Sequence, residues 1–118
     1  MRENIIKAIS FEFAVRIVKL SQYLREQKKE FVLSKQLIRS GTSVGAKVRE
    51  AEHAESKSDF KHKMSIAQKE INETIYWLEL LKETDYLSDE QFESIMNDAI
   101  RIIKLNTSII KTTKANMS

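Results

Sequence analysis

No proline occurs anywhere in the 118 residues of this chain. Proline is the strongest local stop to a helix, because it lacks the N–H and its ring collides with the preceding turn. Without it, helix length is decided by apolar spacing and by capping residues. That spacing is helical throughout. In the first segment Ile6, Ile9, Phe13, Ile17, Leu20 and Leu24 follow one another by three or four residues, so they form one stripe. Phe11, Val15 and Val18 form a second stripe on the opposite side. A helix in a lone bundle buries one stripe. Two stripes imply burial on two sides, as at a subunit contact.

The second segment repeats Leu33, Leu37, Gly41, Val44, Val48 and Ala51. Both glycines of the chain, Gly41 and Gly45, lie inside it. In a helix interior they cost about 2 kcal/mol together relative to alanine, and a turn is the competing reading. The unbroken register favours a helix on which the glycines, four apart, let a neighbour approach closely. Ser56-Lys57-Ser58-Asp59 then resembles a capping box with Ser56 or Ser58 as N-cap, and Ser88-Asp89-Glu90-Gln91 is the stronger form of that signal. Between and beyond them run Phe60, Met64, Ala67, Ile71, Thr74, Leu78 and Leu81, and then Phe92, Ile95, Ala99, Ile102, Ile103, Ile109 and Ile110. The expectation is all-α: a single domain over 1–118, an antiparallel up-down-up-down four-helix bundle with helices at about 4–26, 32–54, 58–84 and 89–114.

Composition narrows the function. The chain has no cysteine, which excludes a disulfide scaffold, a thiol nucleophile and a Cys-based zinc site. Its apolar runs are too short to span a bilayer. The first twenty residues carry Glu3 and Glu12 and no continuous apolar stretch, so they do not read as a secretory signal, and a cytoplasmic protein is expected. Charge is unevenly placed. Residues 1–49 hold 11 basic and 4 acidic side chains, 50–98 hold 5 and 13, and 99–118 hold 4 and none. A basic surface built from the first and last parts of the chain is one reading; pairing of basic and acidic helices within the fold is the other.

The segment Gln36-Leu37-Ile38-Arg39, continued by Ser43-Val44-Gly45-Ala46-Lys47-Val48-Arg49-Glu50-Ala51 and by Asp59-Phe60, Met64, Ala67, Glu73 and Leu78, resembles the bacterial four-helix-bundle family of 23S rRNA-intervening sequence proteins. That family is related to the accessory variability protein of diversity-generating retroelements. The likeness runs from about Phe11 to Ile110. Lys47 stands where the family usually has Asn, Ala51 where it has Gly, and Lys69-Glu70 where it has Gly-Ser. The resemblance implies a small, cytoplasmic, non-enzymatic protein that assembles as a homopentamer. The retroelement relative binds nucleic acid and a reverse transcriptase, which makes RNA or DNA and a partner enzyme the candidate partners besides the chain itself.

Several constellations carry possible chemistry. Glu50-Ala51-Glu52-His53 and Asp59-Phe60-Lys61-His62 are two sequences of the kind used by di-iron bundles. They fall at helix ends, where histidines are usually solvated, so no metal and no cofactor is expected. Arg39, Glu50 and Glu73 are expected to form a buried ion network between the second and third helices, a structural rather than catalytic role. Tyr76-Trp77 is read as core or interface rather than a base-stacking platform. The candidate nucleic-acid-binding residues are Arg39, Lys47 and Arg49 on the second helix with Arg101, Lys104, Lys111 and Lys114 on the fourth. The last four fall within an arc of about 140°. The expected function is therefore RNA binding by a non-enzymatic homo-oligomer. A scaffold that docks a partner enzyme such as a reverse transcriptase is the alternative.

Overall fold

A computed structural model describes residues 2–117; Met1 and Ser118, the ends of the expected domain, lie outside the described residues. Four helices account for nearly all of it: α1 (Arg2–Gln27), α2 (Leu33–Ala51), α3 (Lys57–Glu83) and α4 (Asp89–Ala115). No strand occurs among the described residues. The short connections make consecutive helices neighbours that run in opposite directions. Paired side chains display this directly. Lys7 reaches Glu52 while Ser21 reaches Ser34; Thr74 meets Ser40 while Lys63 meets Glu50. Lys57 reaches Asn116 while Gln68 reaches Thr107, and Arg2 reaches Thr112 while Arg16 reaches Asp98. Each helix packs on two others, with α1 diagonal to α3 and α2 diagonal to α4.

The expected stripes form the core. Ile6, Phe13, Ile17 and Leu24 of α1 are fully buried with Leu37, Val44, Met64, Ile71, Leu78, Leu81, Ile102 and Ile109. Each such side chain stabilises the fold by about 1.5–3 kcal/mol. The helix starts differ in how they are capped. Ser88 and Gln91 form a reciprocal capping box at α4, with bonds of 3.1 and 2.9 Å. At α3 the Ser56 hydroxyl accepts from the Asp59 N–H at 3.0 Å, but Asp59 accepts from Glu55 N–H instead of closing the box on Ser56. At α2 the N-cap position is Val32, which has no capping group. The carboxylate of Glu30, itself buried, accepts from the N–H groups of Val32, Leu33 and Ser34 at 3.2, 3.0 and 2.7 Å.

The helix of α2 passes through Gly41 and Gly45 without interruption. Both lie against α1: a β-carbon at Gly41 would overlap Ile17, and one at Gly45 would press on the Ser10 carbonyl at 3.2 Å. The close approach anticipated from their spacing is the reason they are glycines. The α2 helix ends at Ala51, short of the expected 54. The N–H groups of Glu52, His53 and Ala54 bond to Arg49, Glu50 and Ala51; this three-residue step tightens the last turn out of α geometry.

Candidate nucleic-acid interface

The seven candidate cations divide between opposite corners of the bundle, because α2 and α4 do not touch. The three on α2 are engaged within the chain. Arg39 forms ion pairs with Glu73 and, at 3.7 Å, with Glu70. Lys47 binds Glu50 at 3.1 Å. Arg49 lies over the Phe11 ring, 5.3 Å from its centroid, a cation–π contact that ties α2 to α1.

The four cations on α4 behave differently. Arg101, Lys104, Lys111 and Lys114 are exposed, and none of them has an ion-pair partner among the described residues. No acid follows Asp98 in the chain, and Asp98 itself is bound by Arg16 at 2.6 Å. At 1.5 Å per residue, Arg101 and Lys111 stand about 15 Å apart along the helix. Arg2 joins them from α1: its guanidinium donates to the hydroxyls of Ser108 and, at 2.8 Å, Thr112. Sequence reasoning passed over Arg2. Its only signal is a cation in the first turn of a helix, where the dipole disfavours positive charge unless a tertiary contact holds it. Neutral hydroxyls hold the group without cancelling its charge, so α4 presents a basic ridge able to hold phosphate oxygens.

The expected Arg39–Glu50–Glu73 network is two separate clusters. Glu50 lies eleven positions after Arg39 on α2, about 16 Å along the axis, beyond the reach of one side chain. Glu70 takes the place expected for Glu50. Trp77 Nε1 donates to Glu73 at 3.0 Å, which adds a neutral donor to the Arg39 cluster. Arg39 is half exposed, so the cluster is a surface latch between α2 and α3, not a buried one. Glu50 instead receives Lys47 and Lys63. The hydrogen bond from Lys47, reinforced by Lys63, holds the Glu50 carboxyl below its ordinary value. Tyr76 is exposed and meets the half-buried Trp77 edge-on at 5.0 Å.

His53 and His62 are both exposed. No three His, Asp or Glu side chains converge as metal ligands among the described residues. A cleft of about 700 Å³ opens where α1 and α3 begin and α2 and α4 end. Of its charged lining groups, Lys7 is bound to Glu52 and Lys57 to the Asn116 carbonyl. The second stripe of α1 is solvent-facing: Phe11 is 53% exposed and Val15 39%, with Val18 half-buried beside them. No helix among the described residues is long and apolar enough to cross a membrane.

Comparison with known proteins agrees with this architecture. The chain is similar over 94% of its length to the crystal structure of a protein of unknown function from the S23 ribosomal protein family of Bacteroides thetaiotaomicron, with 58% identity, 99% of that chain covered and a TM-score of 0.93. No curated protein matches it. The family described as 23S rRNA-intervening sequence protein matches residues 2–108, a span that takes in α1, α2, α3 and α4 as far as Ser108, with Arg101 and Lys104 inside it and Lys111 and Lys114 beyond it. With fold and sequence pointing the same way, the chain belongs to the 23S rRNA-intervening sequence protein family.

Proposed function

We propose that this protein is a non-enzymatic homo-oligomer, a pentamer, that binds RNA through the basic ridge of α4. The observation that carries the reading is the contrast between the two sets of cations. Those of α2 are bound to carboxylates or an aromatic ring; those of α4 are exposed and free of carboxylate partners among the described residues. Cations without internal partners lose little on meeting a phosphate. They also release the counterions condensed on the nucleic acid, so affinity falls steeply with salt. Such contacts position a backbone without reading its sequence. Assembly is supported by Phe11 and Val15, large apolar side chains left on the outward side of α1. Five copies, each of net charge +3, would multiply the basic surface.

Titration of a labelled hairpin RNA tests the reading. Binding at about 50 mM salt that weakens by orders of magnitude at about 200 mM supports it. Absence of binding at the lower salt, or binding indifferent to salt, removes it. The same outward stripe favours a second reading, a scaffold that docks a partner protein on α1. A monomer in solution would favour that reading over self-assembly.

A further inference from the structure

The most exposed large apolar side chains of the described residues are not on α1 but on the turn between α1 and α2. Phe31 is 60% exposed and Val32 72%. Their positions are fixed, because the buried Glu30 carboxylate gathers the N–H groups of Val32, Leu33 and Ser34, while the Ser34 hydroxyl donates back to the Glu30 carbonyl at 2.8 Å. A ring held out to solvent by a rigid backbone has little ordering entropy left to lose on binding. Within six residues of it along the chain are four exposed cations, Arg25, Lys28, Lys29 and Lys35, against one exposed acid in the same segment, Glu26.

We propose that the α1–α2 turn is a contact for single-stranded nucleic acid, in which the Phe31 ring stacks on an unpaired base while Lys28, Lys29 and Lys35 hold phosphates of the same strand. The inference rests on the RNA-binding reading above and adds a second site with a different ligand form. Non-specific single-strand sites combine these two parts, an aromatic face for a base and cations that track the backbone. The form of the surrounding surface selects a strand over a broader partner. The α3–α4 turn lies at the same end of the bundle and exposes Glu83, Asp85, Asp89 and Glu90. An anionic membrane pressed on this end would meet those acids together with the cations. A single strand can cross the α1–α2 half alone. A duplex keeps its bases stacked inside and offers Phe31 nothing to stack on.

The test measures binding by the full chain of a short labelled oligouridine and of a blunt-ended hairpin RNA whose loop is a linker without bases, so that no base in it is unpaired. Phe31→Ala should weaken oligouridine binding about tenfold and leave hairpin binding within about twofold. Phe31→Trp should keep oligouridine binding, with indole emission quenched as the strand is added. Lys28→Gln with Lys29→Gln should lower the salt slope for oligouridine by about 1.4. The side chain of Phe31 is mostly in solvent, so unchanged circular dichroism is expected for the variants. Oligouridine binding that ignores Phe31→Ala, while the hairpin still binds through α4, overturns this inference alone. Failure of the wild-type chain to bind either RNA overturns both readings. Phe31-dependent binding to phosphatidylserine vesicles without oligouridine binding overturns it in favour of a membrane contact.

Discussion

Gly41 and Ile17 meet so closely that a β-carbon on residue 41 would lie 2.7 Å from Ile17 Cγ2. Real β-carbons do not approach that near, so Gly41→Ala must displace a fully buried side chain between α1 and α2. Overpacking of this kind costs about 1–3 kcal/mol, and alanine's better helix propensity returns about 1 kcal/mol. Urea unfolding should therefore show a net loss of about 1 kcal/mol for Gly41→Ala. Gly45→Ala, 3.2 Å from the Ser10 carbonyl, should lose less. Stability equal to wild type at Gly41→Ala would show that α1 and α2 are not held at this distance.

Glu30 caps α2 from two residues before the usual position, Val32. Removing its carboxylate with Glu30→Ala orphans the N–H groups of Val32, Leu33 and Ser34. Lost caps cost about 0.5–2 kcal/mol, and three donors on one group place this variant near the upper end. Glu30→Gln keeps an acceptor oxygen and should fall between the two. Thermal melts of the three proteins check the order.

Asn106 is completely buried, and its amide nitrogen donates to the Met64 carbonyl at 3.2 Å, while its Oδ1 receives no hydrogen bond from the described residues. A buried acceptor without a donor costs about 1–3 kcal/mol. Asn106→Leu, which removes the orphan and extends the apolar stripe of α4, should leave stability unchanged or raise it by about 1 kcal/mol. A clear loss on denaturant unfolding would show that the amide contributes more than its single bond to Met64.

These positions mark where the sequence was legible and where it was not. The stripes on α1 to α4 and the Ser88–Gln91 cap could be read because each depends on spacing within one helix. Gly41 and Gly45 could be read as a close approach because their register was unbroken. Glu30 was not legible as a cap, since a carboxylate folding back over a helix start has no fixed sequence spacing. Asn106 was invisible among isoleucines because burial of a polar group is decided by the neighbouring helix. Arg39 was given Glu50 as well as Glu73, although the rise along α2 forbids it; pairing across helices depends on axial height, which a list of charged residues does not display. The separation of the basic residues onto α2 and α4 corners is likewise a property of packing order.

The α4 ridge predicts a specific salt effect. Lys104→Gln combined with Lys111→Gln should lower the slope of log affinity against log salt for hairpin RNA by about two. Arg39→Gln removes a cation already bound to Glu70 and Glu73 and should leave the slope nearly unchanged. Equal effects from both sites would mean that the internal ion pairs do not distinguish α2 from α4.

The outward face of α1 offers the most direct test of the account as a whole, since the proposed assembly would bring several basic ridges together. Val15 is 39% exposed, so Val15→Lys should leave the single subunit folded while placing a charge on that face. Sedimentation equilibrium at micromolar concentration should give a wild-type mass near five times the 13.7 kDa subunit, falling toward one subunit in Val15→Lys. A wild-type mass of one subunit would contradict the account.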